Sequence, residues 1–364
     1  MSTYSIMLEM LYKPNIEKIL KRYEAFWAVD ILDRPPIRVR FTLDSMIDDE
    51  WSESVSTAEG HFAYWEHHAQ LRAEFDDDEV PTATLDLGPA FMPAVMGGRI
   101  NFSHGTSYST QIISDLSEIS ALKEIRFDSS NPVIADYLAR AEYFSKHASG
   151  KLAVGLAMLT GGGDILGALR GITEAYTDMC ENPEGFLELL KICTDAWISV
   201  QKLQFQHIPS LSGGYCDNYG VWTPGKSSYF ANDISTCVSS AMYRSLFMEQ
   251  DCRIVGILEC PWLHTHSAQF RLIPDFLEIP GLRGLQIVND GISGPGFDEV
   301  FPFAKKVQKS GKCLLLRKYP MEELMPFLGE LSPKGLLIDT QCGSLSEAKD
   351  ILKNFSAQKF MKFY

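Results

Sequence analysis

Residues 254–357 read IVGILECPWLHTHSAQFRLIPDFLEIPGLRGLQIVNDGISGPGFDEVFPFAKKVQKSGKCLLLRKYPMEELMPFLGELSPKGLLIDTQCGSLSEAKDILKNFSA. Short apolar runs alternate here with longer amphipathic ones. IVGILEC (254–260), LRGLQIV (282–288), KCLLLR (312–317) and GLLIDT (335–340) are continuous enough for parallel strands buried on both faces. SAQFRLIPDFLEI, FDEVFPFAKKVQKS, MEELMPFLGEL and SEAKDILKNFSA follow them with helical spacing. A strand and a helix every 25–30 residues is the rhythm of a β/α barrel.

Working back toward the N-terminus, four more strands are expected at PIRVRF (36–41), TATLD (82–86), LAVGLAM (152–158) and GGYCDNY (213–219). HFAYWEHHAQLRAEF is a helix after the first, and SSAMYRSLFMEQDCR a helix before IVGILEC. The first half is looser, with extra helical material in 87–150 and 163–210 and a helix around 14–28 that caps the barrel bottom. No linker or low-complexity tract divides the 364 residues, so the expected fold is α/β, a single (β/α)8 TIM barrel over 1–364 with an N-terminal helical extension and insertions. No GxGxxG or Walker pattern follows an early strand, which argues against an open doubly wound sheet; GGG at 161–163 reads as a turn.

The composition is that of a globular protein, with 45% apolar and 22% charged residues. A net charge of −14 disfavours nucleic acid and anionic lipid as partners. The start, MSTYSIMLEMLYKPN, has no basic segment followed by an apolar one, and no run reaches membrane-spanning length. A cytoplasmic location is expected, with the eight scattered cysteines as thiols.

In a barrel, chemistry gathers at the C-terminal strand ends. Those ends carry Asp86; Thr160; Tyr215, Cys216, Asp217 and Asn218; Glu259, Cys260, His264 and His266; Asn289 and Asp290; Arg317 and Lys318; Asp339 and Cys342. The sharpest pattern is His264-Thr265-His266, because histidines at i, i+2 on extended chain point to one side and neutral imidazole is a zinc ligand. Cys342, in TQCG, offers a thiolate as third ligand and leaves a fourth position open, as in catalytic zinc sites. The alternative is a polar pocket wall and a buried thiol. Asp86 is read as an acid–base group or the N-cap of the next helix, and Glu259 as a further ligand, an orienting partner or a surface carboxylate. Tyr215 is a candidate catalytic residue. Asp217, Asn218, Trp222, Asn289 and Arg317 are candidate substrate-binding residues in the pocket wall. His61, His67, His68, His104, His147 and His207 stand without partners at ligand spacing and read as structural or surface residues.

Four segments together resemble the uroporphyrinogen decarboxylase-like superfamily. They are ILDRPPIRV (31–39), DLGPAFMPAVMGGRINF (86–102), GLAMLTGGGDILGALRGITEAYTDMCENPEGFLELLKICTD (155–195), and NDISTCVSSAMYRSLFMEQDCRI (232–254) with HTHS (264–267). The resemblance spans nearly the whole chain, and its combination is more specific than any one motif. It is nearest to the methylcobamide:thiol methyltransferases, whose zinc motif is His-X-Cys with a second Cys far downstream. His264 matches the His, and Cys342 follows at a similar separation, while His266 stands where that branch has Cys. The resemblance implies a zinc-dependent methyltransferase acting with a corrinoid methyl carrier on a partner protein, a small thiol acceptor, and a homodimer. The neutral His266 leaves the metal more positive than two thiolates would, which bears against thiol methylation. The N-terminal Arg-Gln-Ala-Gly-Arg segment of true uroporphyrinogen decarboxylases is missing. Residues 36–60 are net acidic instead. Asp86 still matches the catalytic aspartate of that branch, so a metal-free decarboxylase is the alternative, and a non-catalytic binding paralogue another. An amidohydrolase-type metallohydrolase shares only the His-X-His, which those enzymes place on strand one.

Overall fold

The computed structural model describes residues 9–40, 47–103 and 105–357. The expectations for the first eight residues, His104 and 41–46 of the acidic segment lie outside the described residues. The strands are β1 (Ile37–Arg40), β2 (Thr82–Thr84), β3 (Ile100–Ser103), β4 (Thr106–Ser109), β5 (Ala153–Gly155), β6 (Gly214–Cys216), β7 (Trp222–Pro224), β8 (Tyr229–Ala231), β9 (Trp262–His266), β10 (Gly284–Val288), β11 (Cys313–Arg317) and β12 (Leu336–Gln341). A six-stranded parallel arc runs β1–β12–β11–β10–β9–β8, and a second runs β2–β5–β6–β7 with β7 antiparallel; β3 and β4 form a separate hairpin. The architecture is parallel α/β. The expected closed eight-stranded barrel is found as two arcs whose backbone ladders stop between β1 and β2 and between the second arc and β8.

The first break has a cause in the sequence FDDDE (75–79). Asp78 accepts the N–H of Ile37 at 2.9 Å and Asp77 that of Val39 at 3.2 Å, so carboxylates occupy the edge of β1 that a strand would otherwise pair. Both carboxylates are buried and held by cations, Arg22 on Asp78 at 2.6 Å and Arg72 on Asp77 at 2.7 Å. A buried charge needs such partners. At the second break, the N–H of Ala231 donates to the Thr160 carbonyl at 3.1 Å.

Seven of the eight expected runs contain a strand, and IVGILEC does not. Residues Met248–Val255 are helix and the strand is Trp262–His266. Two features hide the boundary: Ile254 and Val255 are the buried face of that helix, and Pro261 stands just before β9. The histidines therefore lie within the strand, not beyond it.

Inward and outward residues alternate along each strand. Outward ones, such as Leu263, Leu285, Leu314, Leu316 and Ile338, meet the surrounding helices. Inward ones at the bottom, including Trp262, Cys313, Leu315 and Leu337, pack on the helix α1 (Ile16–Trp27). Its buried Ile16, Ile19, Leu20, Tyr23, Phe26 and Trp27 make a single apolar face. The Trp27 indole donates to the Trp222 carbonyl at 2.8 Å, so the expected bottom cap is present.

Candidate metal centre

Strand β9 places His264 and His266 on its inner side and Thr265 outside, where its hydroxyl donates to the Gln286 carbonyl at 2.8 Å. Each imidazole is fixed through Nδ1. His264 Nδ1 donates to Gln286 Oε1 at 2.6 Å, from the register-matched position of β10. His266 Nδ1 donates to Asp290 Oδ1 at 2.5 Å, and the other Asp290 oxygen accepts from Ser267 Oγ at 3.0 Å and the Ala268 N–H at 2.9 Å. With both Nδ1 atoms occupied, both Nε2 atoms are left to face the mouth. This is the usual arrangement behind metal-bound histidine.

A carboxylate joins them. Asp233, in the turn after β8, has Oδ2 3.6 Å from His266 Nε2, and its Oδ1 is buried without a hydrogen-bond partner. Ligand atoms of Asp233, His264 and His266 all lie within 4.8 Å of one another. Two ligands about 2.1 Å from a shared ion are at most about 4.2 Å apart, so closing on zinc needs a shift of roughly half an ångström. The donor set therefore fits a divalent ion of zinc type.

Burial pulls the His264 ring down to about 4, so it is neutral at pH 7. The Asp233 and Asp290 carboxylates push His266 up to about 10, and a cation at Nε2 takes the place of that proton. Burial tends to raise Asp233, but the neighbouring imidazoles outweigh it and hold the carboxyl below its usual range.

The other expected residues divide. Asp86 and Asn218 belong to the mouth. Asp86 accepts from Gly88 N at 2.9 Å and Asn218 Nδ2 at 3.1 Å, and Asn218 Oδ1 accepts from the Tyr229 hydroxyl at 2.8 Å. Burial holds the Asp86 carboxyl above its usual range. The Tyr229 ring lies 5.9 Å from His264, linking this chain to the histidines. Arg317 lies 3.6 Å over the Tyr219 ring, whose stack on His264 is 5.6 Å between centroids. Asp217 shapes the turn after β6: Oδ1 takes the N–H groups of Tyr219 and Val221, and Oδ2 is buried without a partner. Asn289 Oδ1 accepts from Gly291 N at 2.9 Å, so it serves the loop that presents Asp290.

Four placements differ from expectation. Tyr215 lies between two inward residues, so strand parity turns it outward, 5.0 Å from the Phe205 ring and among the outer core. Trp222 is at the bottom, its indole donating to the Leu211 carbonyl at 2.8 Å. Glu259 precedes β9 and so lies at the opposite end of that strand from His266. Cys342 stands outside the Asp233–His264–His266 group, its thiol 3.6 Å from the Arg40 carbonyl and 3.4 Å from that of Ser344. Strand β12 is three strands from β9, about 14 Å along the wall at ~4.8 Å per strand. Asp233 sits beside the strand next to β9. Asp233 and Gln286 were missed. The parity of LRGLQIV points Gln286 inward, whereas NDISTC holds Asp233 in a turn with no ligand spacing to mark it.

No protein-family model matches the sequence, and no curated protein sequence does. Among solved structures, the chain is similar to a methyltransferase from Methanosarcina mazei, with a TM-score of 0.64 and 14% identity, covering 93% of this chain and 98% of that one. At that identity the likeness is one of fold. No helix among the described residues is long and apolar enough to cross a membrane.

Proposed function

We propose that the protein is a zinc-dependent methyltransferase in which Asp233, His264 and His266 hold the metal. The acceptor is a small thiol at the barrel mouth, and the methyl donor a corrinoid on a partner protein. The observation that carries this is the paired anchoring of Nδ1, by Gln286 and Asp290, which directs both Nε2 atoms at the Asp233 carboxylate. The fold likeness to a methyltransferase supports the transfer chemistry. Zinc, when bound, depresses the pKa of a coordinated thiol and leaves a thiolate to accept the methyl group. Asp233 contributes the anionic ligand that the His266 substitution removes. One carboxylate with two neutral imidazoles leaves a charge of about +1 on the centre, enough to favour thiolate over thiol. Gln286 and Asp290 hold the tautomers, and Tyr219 and Tyr229 exclude water from the buried side of His264.

Elemental analysis should give one zinc per chain, lost in Asp233→Ala and His264→Ala, with methyl transfer from a methylated corrinoid to a simple thiol lost in parallel. A folded preparation that takes up no zinc refutes this reading.

One observation favours a second reading. The Asp86 carboxyl, raised by burial and aimed by Asn218, is suited to a metal-free decarboxylase. There, Asp86→Asn abolishes decarboxylation and His264→Ala leaves it intact.

A further inference from the structure

The break between β1 and β2 encloses a cavity of about 150 Å³. Arg38 and Arg40 reach it from β1, Thr84 from β2, Asn218 and Tyr219 from the loop after β6, and His68 from the helix Ala58–Leu71. Arg38 is 2% exposed, yet its Nε and one terminal nitrogen have no hydrogen-bond partner. The nearest carboxylates, Asp339 at 3.6 Å and Glu79 at 3.5 Å, are ion pairs too long for good hydrogen bonds. The hydroxyl of Thr84 is also buried and unpartnered. Behind Tyr219, Arg317 has two unpartnered nitrogens and Asp339 at 3.7 Å.

Among the described residues of this ion-pair network, cations outnumber carboxylates. Asp339 serves Arg38, Arg317 and Arg40, the last at 3.0 Å, while Glu79 lies closer to Arg72, at 3.2 Å, than to Arg38. Among the described residues of the connected network, Lys13, Arg38, Arg40, Arg72 and Arg317 face Asp77, Glu79, Asp217 and Asp339, five cations against four carboxylates. Buried guanidinium N–H groups without acceptors, beside an open volume, are a site for an acceptor with negative charge. At ~30 Å³ per water, the cavity holds about five non-hydrogen atoms, the size of a carboxylate with a short stem.

We infer that this cavity seats the carboxylate end of a small organic acid, held by Arg38 and Arg40 with Thr84 and Asn218 beside it. The inference stands on the arginine geometry and not on the metal, and metal content tells the two failures apart. The seat adjoins the candidate metal centre through Tyr219, so an acid bound there presents its other end toward the histidines.

The test is calorimetric titration of the full chain with propionate, against propionamide as the neutral isostere, at constant ionic strength. Propionate should bind saturably at one site per chain and propionamide should not. Arg40→Gln, whose side chain is 28% exposed in the parent, should weaken propionate roughly 10-fold or more, the loss of one charged hydrogen bond. Thr84→Val keeps the shape of the cavity and should weaken it a few-fold, which preserves the test should Arg40→Gln fail to fold. Equal responses to acid and amide, no saturable response, or a response unchanged in the folded variants would overturn the inference.

Discussion

Replacing Asp290 with Asn changes one atom and should weaken zinc binding by a calculable route. Asp290 Oδ2 accepts two donors, Ser267 Oγ and the Ala268 N–H, so the amide oxygen of Asn must stay on that side. The amide NH2 then faces His266 Nδ1, where Asp290 Oδ1 accepted at 2.5 Å. Two donors cannot face each other, so Nδ1 must become the acceptor and the ring proton moves to Nε2. That is the atom needed for the metal. Loss of such an orienting partner costs about 10–100-fold in metal affinity, or about 1.4–2.8 kcal/mol. Competition for zinc against a chromophoric chelator measures it. The same change made on a His266→Ala background should add little, because the route runs through that ring. Affinity within about twofold of the parent, or an undiminished effect on the His266→Ala background, would refute the reasoning.

Further expectations concern the scaffold. His61 is fully buried with neither ring nitrogen bonded, and burial lowers it to about 3, so the unfolded chain takes up its proton first. Its contribution is lost as pH falls from about 6.5 toward 3. The loss reaches about 2 kcal/mol at pH 5, and urea titrations at pH 7.5 and 5 should show His61→Phe losing that much less than the parent. Asp78→Ala leaves the buried Arg22 with Asp33 alone, strips the half-buried Arg34 of its carboxylate and uncaps the strand edge at Ile37, and should cost about 2–3 kcal/mol by denaturant titration. Tyr215→Phe should leave zinc content and turnover unchanged and shift stability by under about 1 kcal/mol, since the hydroxyl makes only a 3.5 Å contact outside the site.

The parallel repeat was legible because β10, β11 and β12 are continuous apolar runs, buried on both faces, that periodicity detects directly. Strand β9 was not. WLHTH has two histidines and a threonine among its five residues, so its apolar signal is weak. The buried face of the preceding helix supplied a stronger one. The histidine pair was found regardless, because i, i+2 spacing gives the same side of an extended chain wherever the strand begins. The carboxylate was not found, because Asp233 comes from a different β unit and only the β8–β9 pairing brings it close. Sequence separation favoured Cys342, while strand adjacency favours Asp233.

Register binds the two halves of the site together. His266 pairs with Val288, Val288 with Arg317, Arg317 with Asp339 and Asp339 with Arg38, so the mouth-facing imidazole and the buried guanidiniums stand in one inward row of the wall. One row below, His264 and Gln286 adjoin Leu315, and Leu315 adjoins Leu337, where the floor becomes apolar. A polar row over an apolar floor strengthens every charge interaction above it, because water cannot enter from beneath. The same periodicity makes the arrangement unforgiving. A one-residue slip of β9 would turn both histidines to the helices and bring Leu263 and Thr265 inward. Thr265, bonded to the Gln286 carbonyl on the outer side, and Trp262, packed in the floor, resist that slip from both ends of the strand. The residues that fix the fold of β9 are thus the ones that fix where its two imidazoles point.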